Sequence, residues 1–506
     1  MSTTDLAAKR AALSDTKRAL LEARLRGRSD DAAPPRDAVT RCAGPGPVHP
    51  LSFAQERMWF MSQFDPDLPI YNVPLAVLVS ADLDVDALER AFSEVVRRHE
   101  ALRTVFQLVD GEPRQVVLDP FRMRVDVRDE RGRMGAGTFR DEVQRLVEEE
   151  GARPMDIVNG PVIRVALLRV SNDRFALVVT THHIATDGWS YPIILGEMEA
   201  FYEDFVAGRT PSFPDPVLRY ADYAVWERGH LQGETLERHV RFWREHLAGA
   251  LDTELPGDRP RPPRQTFAGA FHHFRVPLPI LESARVLSRE ESATLNMVLL
   301  AAFDLLLARY TDTEDVTVGT LLGNRLRPEL EKVVGFFVNT AAVRLRMDGD
   351  PTFRELVRRA KRTILDASAH QELPFDKVVD ALQVARSNSR QPLFQIMYFH
   401  HVYSTAYSHR SGAMGSRLDP LPIYENRISL IDTGAAPFDL MLASLEDSEG
   451  LDCIMEYARD LYDPATIELL GRRFARMVER AAGQPDLPVS RLSILTDEEE
   501  SRVLDT

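Results

Sequence analysis

The stretch Phe175–Ser190, FALVVTTHHIATDGWS, constrains the fold and the chemistry of this chain more than any other. Its apolar run predicts a buried strand that ends at two threonines and a pair of histidines, His182 and His183. Asp187 and Gly188 follow in a tight turn, and a helical pattern begins near Ser190. This order of elements predicts an imidazole that is held at a fixed angle where a rigid strand ends.

The residues around the histidine pair suit such a role. A histidine that serves as acid, base or hydrogen-bond partner needs a fixed ring orientation and tautomer, which the backbone of a nearby turn can supply. Gly188 permits a close approach of the backbone or a positive φ. Asp187 could act on a substrate directly, but an acid in a tight turn more often caps a helix or pairs with an arginine. The residue pattern leaves both interpretations of Asp187 open.

Two further histidine pairs serve as internal controls. His272-His273 lies in an alternating segment, and His400-His401 follows the apolar run LFQIMYF. Neither pair is followed by an acid and a glycine at a comparable distance, so we interpret them as strand or core histidines. Adjacent histidines on a strand point to opposite faces and cannot easily share one ion, which argues against a metal hydrolase at His182 and His183.

Length, charge and cysteine content narrow the class of protein. The 506 residues suit two lobes better than one core. A formal net charge of −15 opposes nonspecific binding to nucleic acid or anionic lipid. The sequence contains no apolar run of membrane-spanning length and no signal-peptide core, which predicts a cytoplasmic protein. Cys42 and Cys453 are too few for a disulfide framework or a thiolate metal site, and Cys453 is expected in the core.

Local patterns predict several elements. The pattern of residues 5–27 predicts an amphipathic helix, and a linker rich in proline and glycine follows it. This segment is either a packing appendage or a docking element for an upstream protein. Apolar positions at helical spacing from Leu88 to His99 predict a helix whose C-terminus carries a structural His99, and then a strand over Leu102–Phe106. Arg97 and Arg98 form either a solvated helix face or a docking patch for an acidic partner.

Residues 48–480 contain several motifs that follow one another in the same order as in one known protein family. HHIATDG, His182–Gly188, matches the pattern HHxxxDG. The other segments that match the same family are SFAQERMWF (Ser52–Phe60), Tyr71–Pro74, RRHEALRTVF (Arg97–Phe106), Tyr220–Trp226, the GFFVNT run (Gly335–Thr340), HQELPFDKVVD (His370–Asp380) and RSNSRQPLFQIMYF (Arg386–Phe399). In this order they resemble condensation domains of nonribosomal peptide synthetases, of the type that joins L-residues. The segment between Phe399 and Ile431 is longer and more polar than that resemblance leads us to expect.

The resemblance implies an α/β fold with mixed sheets. Two chloramphenicol-acetyltransferase-like lobes are expected to form a V-shaped pseudo-dimer with a central tunnel. On this basis we assign residues 1–47 to the N-terminal helix and linker, 48–218 to the N-terminal lobe and 219–490 to the C-terminal lobe. Residues 491–506 are expected to be a linker toward a following domain, since VSRLSILTDEEESRVLDT looks like the run that leads into an adenylation domain.

The resemblance also implies the reaction. An amine on one phosphopantetheine arm attacks a thioester on another, with both arms carried by partner carrier proteins. The thioester is already activated, so the reaction needs no ATP, and the sequence has no phosphate-cradling GxxxxGK[ST] loop. We expect no cofactor or metal on this chain. It also has no Gly-Gly-x-Ser carrier signature, so the donor and acceptor carriers must come from outside it.

The resemblance assigns roles to single residues. His183 is expected to be catalytic, either as general base or as the group that orients the amine and stabilises the tetrahedral intermediate. An α-amine is already roughly one-tenth neutral at pH 7, so its complete deprotonation by the enzyme would lower the activation barrier by only about 1.4 kcal/mol. Positioning of the amine can lower the barrier by several kcal/mol. Asp187 is expected to form a salt bridge with Arg325 that locks the loop. The remaining candidates are His182 as packing support, Gly188 as backbone donor to the oxyanion, and Trp189, Ser190 and Asn339 as tunnel residues.

Two alternatives remain. One is a stand-alone enzyme of this fold that forms an ester or amide with a free or carrier-bound nucleophile. The other is a non-catalytic platform that recruits a tailoring enzyme; such domains generally lose residues of the motif, and HHxxxDG is complete here. A heterocyclising relative would carry aspartate in place of His182, and an epimerising relative would carry a later Glu-Gly-His segment, which this sequence lacks.

Overall fold

Two mixed sheets and one small antiparallel sheet organise the protein, which is described here from a computed structural model. The structure describes residues 38–41, 44, 46–63, 69–79, 83–133, 135, 139–250, 252–384, 387–401, 418–419, 434–495 and 499–501. The expected helix over 5–27, Cys42 and most of the segment between Phe399 and Ile431 lie outside these residues. The described residues from Arg41 onward belong to one compact unit.

The first half of the chain contains seven described strands and six described helices. The strands are β1 (Val48–Pro50), β2 (Asn72–Val79), β3 (Thr104–Val109), β4 (Glu112–Val117), β5 (Val125–Asp129), β6 (Ile163–Arg169) and β7 (Phe175–His182). The helices are α1 (Phe53–Ser62), α2 (Val85–Arg98), α3 (Phe139–Gly151), α4 (Ser190–Val206), α5 (Tyr220–His230) and α6 (Gly233–His246).

The second half has the same mixture of elements. Its strands are β8 (Gly269–Pro277), β9 (Asp315–Leu322), β10 (Asn339–Arg346), β11 (Ile396–His401), β12 (Leu418–Asp419), β13 (Leu440–Glu446) and β14 (Gly450–Ala458). Its helices are α7 (Leu278–Glu290), α8 (Leu295–Thr311), α9 (Phe353–Ala369), α10 (Phe375–Leu382) and α11 (Pro464–Gly483).

Each of the two large sheets is built from strands of one half of the chain, with one exception. One five-stranded sheet has the order β12-β2-β7-β6-β5, and a six-stranded sheet has the order β10-β9-β11-β13-β14-β8. Strands β1, β4 and β3 form the small antiparallel sheet. Parallel pairs (β5 with β6, β11 with β13) occur beside antiparallel ones, so both large sheets are mixed as expected. The exception is β12, which comes from the second half and pairs with the edge strand β2.

The largest core lies between the six-stranded sheet and its helices. α8 is buried almost all round, and Phe303 and Leu306 on it are fully buried. Cys453 is buried in this core, as expected. No single helix among the described residues is long and apolar enough to cross a bilayer, although α7 and α8, bent by 111° at the break between them, pass that test of length and composition as a pair.

The control histidines lie on strands, as the sequence indicates. His272 and His273 are in β8, and His400 and His401 end β11. His99 is the C-cap of α2, where its Nε2 lies 2.9 Å from Glu197 Oε2, which confirms its structural role. The strand expected over Leu102–Phe106 begins later than its apolar pattern suggests. Residues Glu100–Arg103 form a 3₁₀ turn, and the strand begins at Thr104.

Candidate active site

β7 carries the two histidines to the end of the five-stranded sheet. The backbone N–H of His183 donates to the carbonyl of Tyr71 at 2.7 Å, and that of His182 donates to the carbonyl of Val162 at 3.0 Å. His182 is buried, whereas His183 is partly exposed. The sheet therefore fixes both backbones and leaves the second ring within reach of solvent.

The ring of His183 is held in one tautomer. Its Nδ1 lies 2.7 Å from the carbonyl oxygen of Thr186. A carbonyl only accepts hydrogen bonds, so Nδ1 carries the proton and Nε2 presents a lone pair. No bond of Nε2 to another described residue is present. Phe336 contacts the ring edge-on, with 4.8 Å between the ring centroids.

His182 is held in the opposite tautomer. Its Nδ1 accepts the backbone N–H of Ile184 at 3.1 Å, so its proton is on Nε2. Burial, together with the nearby His183, lowers the pKa of His182 to about 3. Burial also lowers the pKa of His183, while the Thr186 carbonyl and Asp187 act in the opposite direction. Both rings are therefore neutral near pH 7, and only His183 offers a free acceptor nitrogen.

Asp187 directs its whole carboxylate into the protein. Its Oδ1 accepts the hydroxyl of Ser190 at 2.9 Å and the backbone N–H of Ser190 at 3.1 Å, which caps the first turn of α4. Its Oδ2 accepts the backbone N–H of Phe337 at 3.1 Å. Because these donors are all internal, the carboxylate holds structure in place and is not aimed at a ligand.

The expected ion pair between Asp187 and Arg325 is present. Nη2 of Arg325 lies 3.0 Å from Oδ1 and 3.3 Å from Oδ2 of Asp187. Nη1 of Arg325 donates to the carbonyls of Leu330 and Val333 at 2.6 and 2.7 Å. The guanidinium also lies 4.0 Å above the ring of Phe337. One arginine thus ties the histidine loop to the loop that follows β9.

Ser190 has a different place from the one that the sequence suggests. It is fully buried, its hydroxyl donates to Asp187 and lies 3.1 Å from the carbonyl oxygen of Gly335, and it accepts the N–H of Gly335 at 3.2 Å. A buried hydroxyl cannot line an open tunnel, so that interpretation of Ser190 is wrong. The serine instead joins the start of α4 to the Gly335–Phe337 segment.

Gly188 and Trp189 lie on the exposed side of the loop. Gly188 does not take a positive φ, and a Cβ built on it would meet no atom within 4 Å, so packing within the protein does not require glycine here. Trp189 is 52% exposed, and its indole N–H donates to the carbonyl of Glu331 at 2.9 Å. Trp189 is therefore an exposed residue of the loop and not a core residue.

Asn339 is partly exposed, but its side chain is occupied. Its amide N–H₂ donates to the carbonyls of Gln371 and Leu373 at 2.8 and 2.7 Å, and its oxygen accepts the N–H of Phe375 at 3.2 Å. The amide thus positions the segment before α10. A direct contact of Asn339 with substrate stays a prediction.

Several residues that support the motif from a distance were not anticipated from the sequence. The buried Gln55 donates from its amide to the carbonyl of Ile184 at 3.2 Å. Tyr220 bonds Ser52 through its hydroxyl at 2.8 Å and also donates to the carbonyl of Phe336. A signal for Gln55 was available, because a glutamine among the apolar residues of SFAQERMWF needs a buried partner.

The sequence matches a known protein family. Residues 47–504 match the family model of the condensation domain. The chain belongs to the condensation-domain family. It is 38% identical over 459 residues to a linear gramicidin synthase of Brevibacillus parabrevis, a match that covers 90% of this chain and 6% of that protein. It is 35% identical over 498 residues to phosphinothricin tripeptide synthetase PhsC of Streptomyces viridochromogenes, a match that covers 98% of this chain and 44% of PhsC.

Solved structures agree on the fold. The X-domain in its complex with OxyB from teicoplanin biosynthesis matches with a TM-score of 0.76 and 28% identity, over 92% of this chain and all of that one. The first condensation domain of the CDA synthetase matches with a TM-score of 0.73 and 19% identity, over 89% of this chain and 99% of that one. The chloramphenicol-acetyltransferase-like fold class expected from the sequence is therefore confirmed. This condensation domain corresponds to only a part of the longer curated synthetases that it matches.

Proposed function

We propose that this condensation domain forms an amide bond between two carrier-bound substrates. An acyl or aminoacyl thioester on one phosphopantetheine is the donor, and the amine of an aminoacyl thioester on another is the acceptor. The nitrogen attacks the thioester carbonyl, a tetrahedral intermediate forms, and the donor thiolate leaves and takes up a proton. The observation that carries this proposal is the fixed tautomer of His183, whose Nε2 lone pair is left without an internal partner among the described residues.

His183 accepts a hydrogen bond from the attacking amine in this mechanism. A neutral Nε2 orients the nitrogen toward the thioester carbon and takes its proton as the C–N bond forms. The protonated ring then has Nε2–H available for the departing sulfur. Asp187 lies near enough to raise the pKa of His183, so it favours the transient imidazolium without touching the substrate.

We place the path of the substrate on the exposed side of the histidine loop. Gly188 leaves open space where a side chain would project, and its backbone N–H is our candidate donor to the oxyanion. Trp189, the next residue, is also exposed to solvent. A V-shaped arrangement with a central tunnel, with carriers entering from opposite sides, is part of the proposal.

The test is transfer between loaded carriers, followed by intact-protein mass spectrometry. The donor carrier bears the acyl group and the acceptor carrier bears the aminoacyl group. We expect His183→Ala to lower the rate by about 10²-fold or more. His272→Ala, which removes the same side chain from β8, should keep the wild-type rate. Transfer that survives His183→Ala unchanged would refute the assignment.

A second candidate function rests on a specific match. The X-domain structure is of a complex with OxyB, which suggests a platform that binds a tailoring enzyme. The complete motif and the free Nε2 of His183 favour catalysis. A wild-type chain that transfers no acyl group between loaded carriers, but binds a candidate oxygenase, would favour the platform.

A further inference from the structure

The ring of Phe336 lies against the imidazole of His183. The two ring centroids are 4.8 Å apart and the two planes are inclined by 62°. Phe336 is buried, whereas His183 is partly exposed. An edge-to-face arrangement at this distance is favourable for two aromatic rings. One wall of the histidine site is therefore a phenyl ring from the second half of the chain.

Hydrogen bonds to its two neighbours hold the backbone of Phe336. The residue lies in an irregular segment before β10, so no strand ladder fixes it. The N–H of Gly335 donates to the hydroxyl of Ser190 at 3.2 Å, and the N–H of Phe337 donates to Oδ2 of Asp187 at 3.1 Å. Ser190 and Asp187 both belong to the turn that follows the histidine pair. The histidine loop therefore fixes the segment that carries its own wall.

The carbonyl of Phe336 has a third partner, which comes from α5. It accepts the hydroxyl of Tyr220. Because a hydroxyl has one proton, the second bond of the Tyr220 oxygen, at 2.8 Å, is donated by Ser52. The Tyr220 ring also lies so close to Gly335 that a Cβ there would be 1.9 Å from it. Phe336 cannot move away from His183 without displacing this buried tyrosine.

The contact with Phe336 restricts the imidazole in a way that its hydrogen bond does not. A histidine side chain turns about two bonds. The bond from Nδ1 of His183 to the carbonyl of Thr186 restrains one atom of the ring and leaves the ring free to pivot about it. The phenyl ring of Phe336 blocks that pivot. Nε2 is thereby held at one position, which matters because small misplacements of a reacting group lower the rate strongly.

Phe336 also shields one side of the imidazole from water. Burial is the largest cause of the lowered pKa of His183. A phenyl ring contributes to that burial and supplies no charge or strong acceptor that would stabilise the imidazolium. Without the phenyl ring, water would reach the imidazole and the pKa of His183 would rise toward its ordinary value of 6.5.

The groups that surround His183 leave this effect of Phe336 visible. The titratable and charged ones are Tyr71, His182, Asp187, Tyr220 and Arg325. Burial raises the pKa of both tyrosines and lowers that of His182, so these three are neutral near pH 7. The carboxylate and the guanidinium compensate each other as an ion pair.

We propose that Phe336 is a positioning residue for acyl transfer: its ring stops the imidazole of His183 from pivoting and shields it from water. This inference rests on the proposed function, because it takes Nε2 of His183 as the acceptor for the amine. The next side chain has a different contact, since the guanidinium of Arg325 lies 4.0 Å above the ring of Phe337. The two adjacent phenylalanines therefore support two different parts of the site.

The first part of the test uses NMR on the protein without substrates. Histidine labelled with ¹³C and ¹⁵N reports the tautomer and the titration midpoint of each ring, and the signal of His183 is identified by its loss in His183→Ala. In the wild type we expect one tautomer, with the proton on Nδ1, and a midpoint below 6.5. In Phe336→Ala we expect a mixture of both tautomers and a higher midpoint.

The second part measures transfer between loaded carriers. We expect Phe336→Ala to lower kcat about tenfold and Phe336→Leu about threefold, with KM changed by less than about twofold, because the ring acts on His183 and not on substrate binding. Phe336→Leu keeps most of the apolar volume and carries the test if Phe336→Ala does not fold. Phe353→Leu is the matched control, since Phe353 is a fully buried phenylalanine of α9. It should lower the melting temperature and keep the wild-type kcat.

A loss of kcat in the Phe336 variants, together with a changed tautomer or midpoint of His183, would support the inference. Wild-type kcat in both variants would overturn it, as would a loss of kcat that leaves the His183 signals unchanged or that is equal in Phe353→Leu. If wild-type protein transfers nothing between carriers, the proposed function fails. The NMR comparison does not depend on transfer, so unchanged His183 signals in the Phe336 variants would overturn the inference by themselves.

Discussion

Asp187 and Arg325 are separated by 138 positions in sequence, yet Oδ1 of the first lies 3.0 Å from Nη2 of the second, and both side chains are 4% exposed. The pair joins the turn after β7 to the loop after β9. Because the same carboxylate also caps α4, it fixes three segments at one point. The orientation of His183 depends on this junction, since Thr186, whose carbonyl accepts the hydrogen bond from Nδ1–H of His183, immediately precedes Asp187.

The first prediction concerns this ion pair. Asp187→Asn removes the charge that compensates Arg325 and leaves a buried guanidinium without its counterion. Removing one partner of a buried pair costs roughly 3–5 kcal/mol, so both the melting temperature and the transfer rate should fall. Glu282→Gln, which breaks an exposed pair with Arg285, should cost less than about 1 kcal/mol. A variant of Asp187 that is fully stable but inactive would instead indicate direct chemistry by the carboxylate.

The second prediction contrasts two glycines near the site. A Cβ on Gly335 would lie 1.9 Å from the ring of Tyr220, whose hydroxyl is already bonded to Ser52 at 2.8 Å, whereas a Cβ on Gly188 meets open space. Gly335→Ala should therefore destabilise the protein by about 1–3 kcal/mol. Gly188→Ala should keep the melting temperature and, on our proposal that the substrate passes this side of the loop, lower the transfer rate. Thermal unfolding and transfer kinetics on both variants separate the two effects, and a loss of stability in Gly188→Ala would contradict this account.

The strand, the histidine pair, the turn and the helix start could be predicted from the sequence within a few residues, because these features are local. The burial of Ser190 could not, since the groups that bury it, around Gly335, lie 145 positions away. The pairing of Asp187 with Arg325 followed from family resemblance and not from spacing. The 3₁₀ turn before β3 could not be predicted, because Leu102 and Phe106 suit a strand equally well. The turn is set by backbone hydrogen bonds, from Leu102 N–H to the carbonyl of His99 at 3.0 Å and from Thr104 N–H to the carbonyl of Ala101.

The third prediction is a pH dependence from Glu227 on α5. This carboxyl is buried, and its oxygens accept the backbone N–H of Phe53 at 2.9 Å and the hydroxyl of Tyr223 at 3.0 Å. Burial raises the pKa of Glu227 from 4.5 to about 7. The folded state therefore keeps this proton at pH values where the unfolded chain has released it, so stability is full below pH 4.5 and is lost as the pH rises through 7, by up to ~3 kcal/mol.

Glu227→Gln tests whether the ionisation of Glu227 lowers stability as the pH rises. The amide keeps an acceptor for Phe53 and does not ionise, so the free energy of unfolding should change less between pH 5 and 8 than in the wild type. Denaturant unfolding across that range measures the difference. Glu237→Gln, at an exposed position on α6, serves as control and should leave the wild-type pH profile unchanged. If Glu227→Gln and the wild type have parallel profiles, the carboxyl does not titrate in this range.

The fourth prediction concerns Asp304, an acid in the middle of α8. It is 0% exposed, and neither carboxyl oxygen has a hydrogen-bond partner among the described residues. Burial raises the pKa of Asp304 well above its ordinary value, so the group is protonated when folded and opposes folding increasingly as the pH rises above 3.8. Asp304→Asn removes the ionisation at nearly constant volume and should stabilise the protein at pH 8 by ~1–3 kcal/mol.

At pH 4 the advantage of Asp304→Asn should largely disappear, because the unfolded wild type is then about half protonated as well. Asp252→Asn, at an exposed position, should change stability by less than about 0.5 kcal/mol at either pH. Thermal unfolding of the three proteins at both pH values checks the prediction. A gain that is equal at pH 4 and pH 8 would mean that packing, and not the buried charge, limits stability at this position.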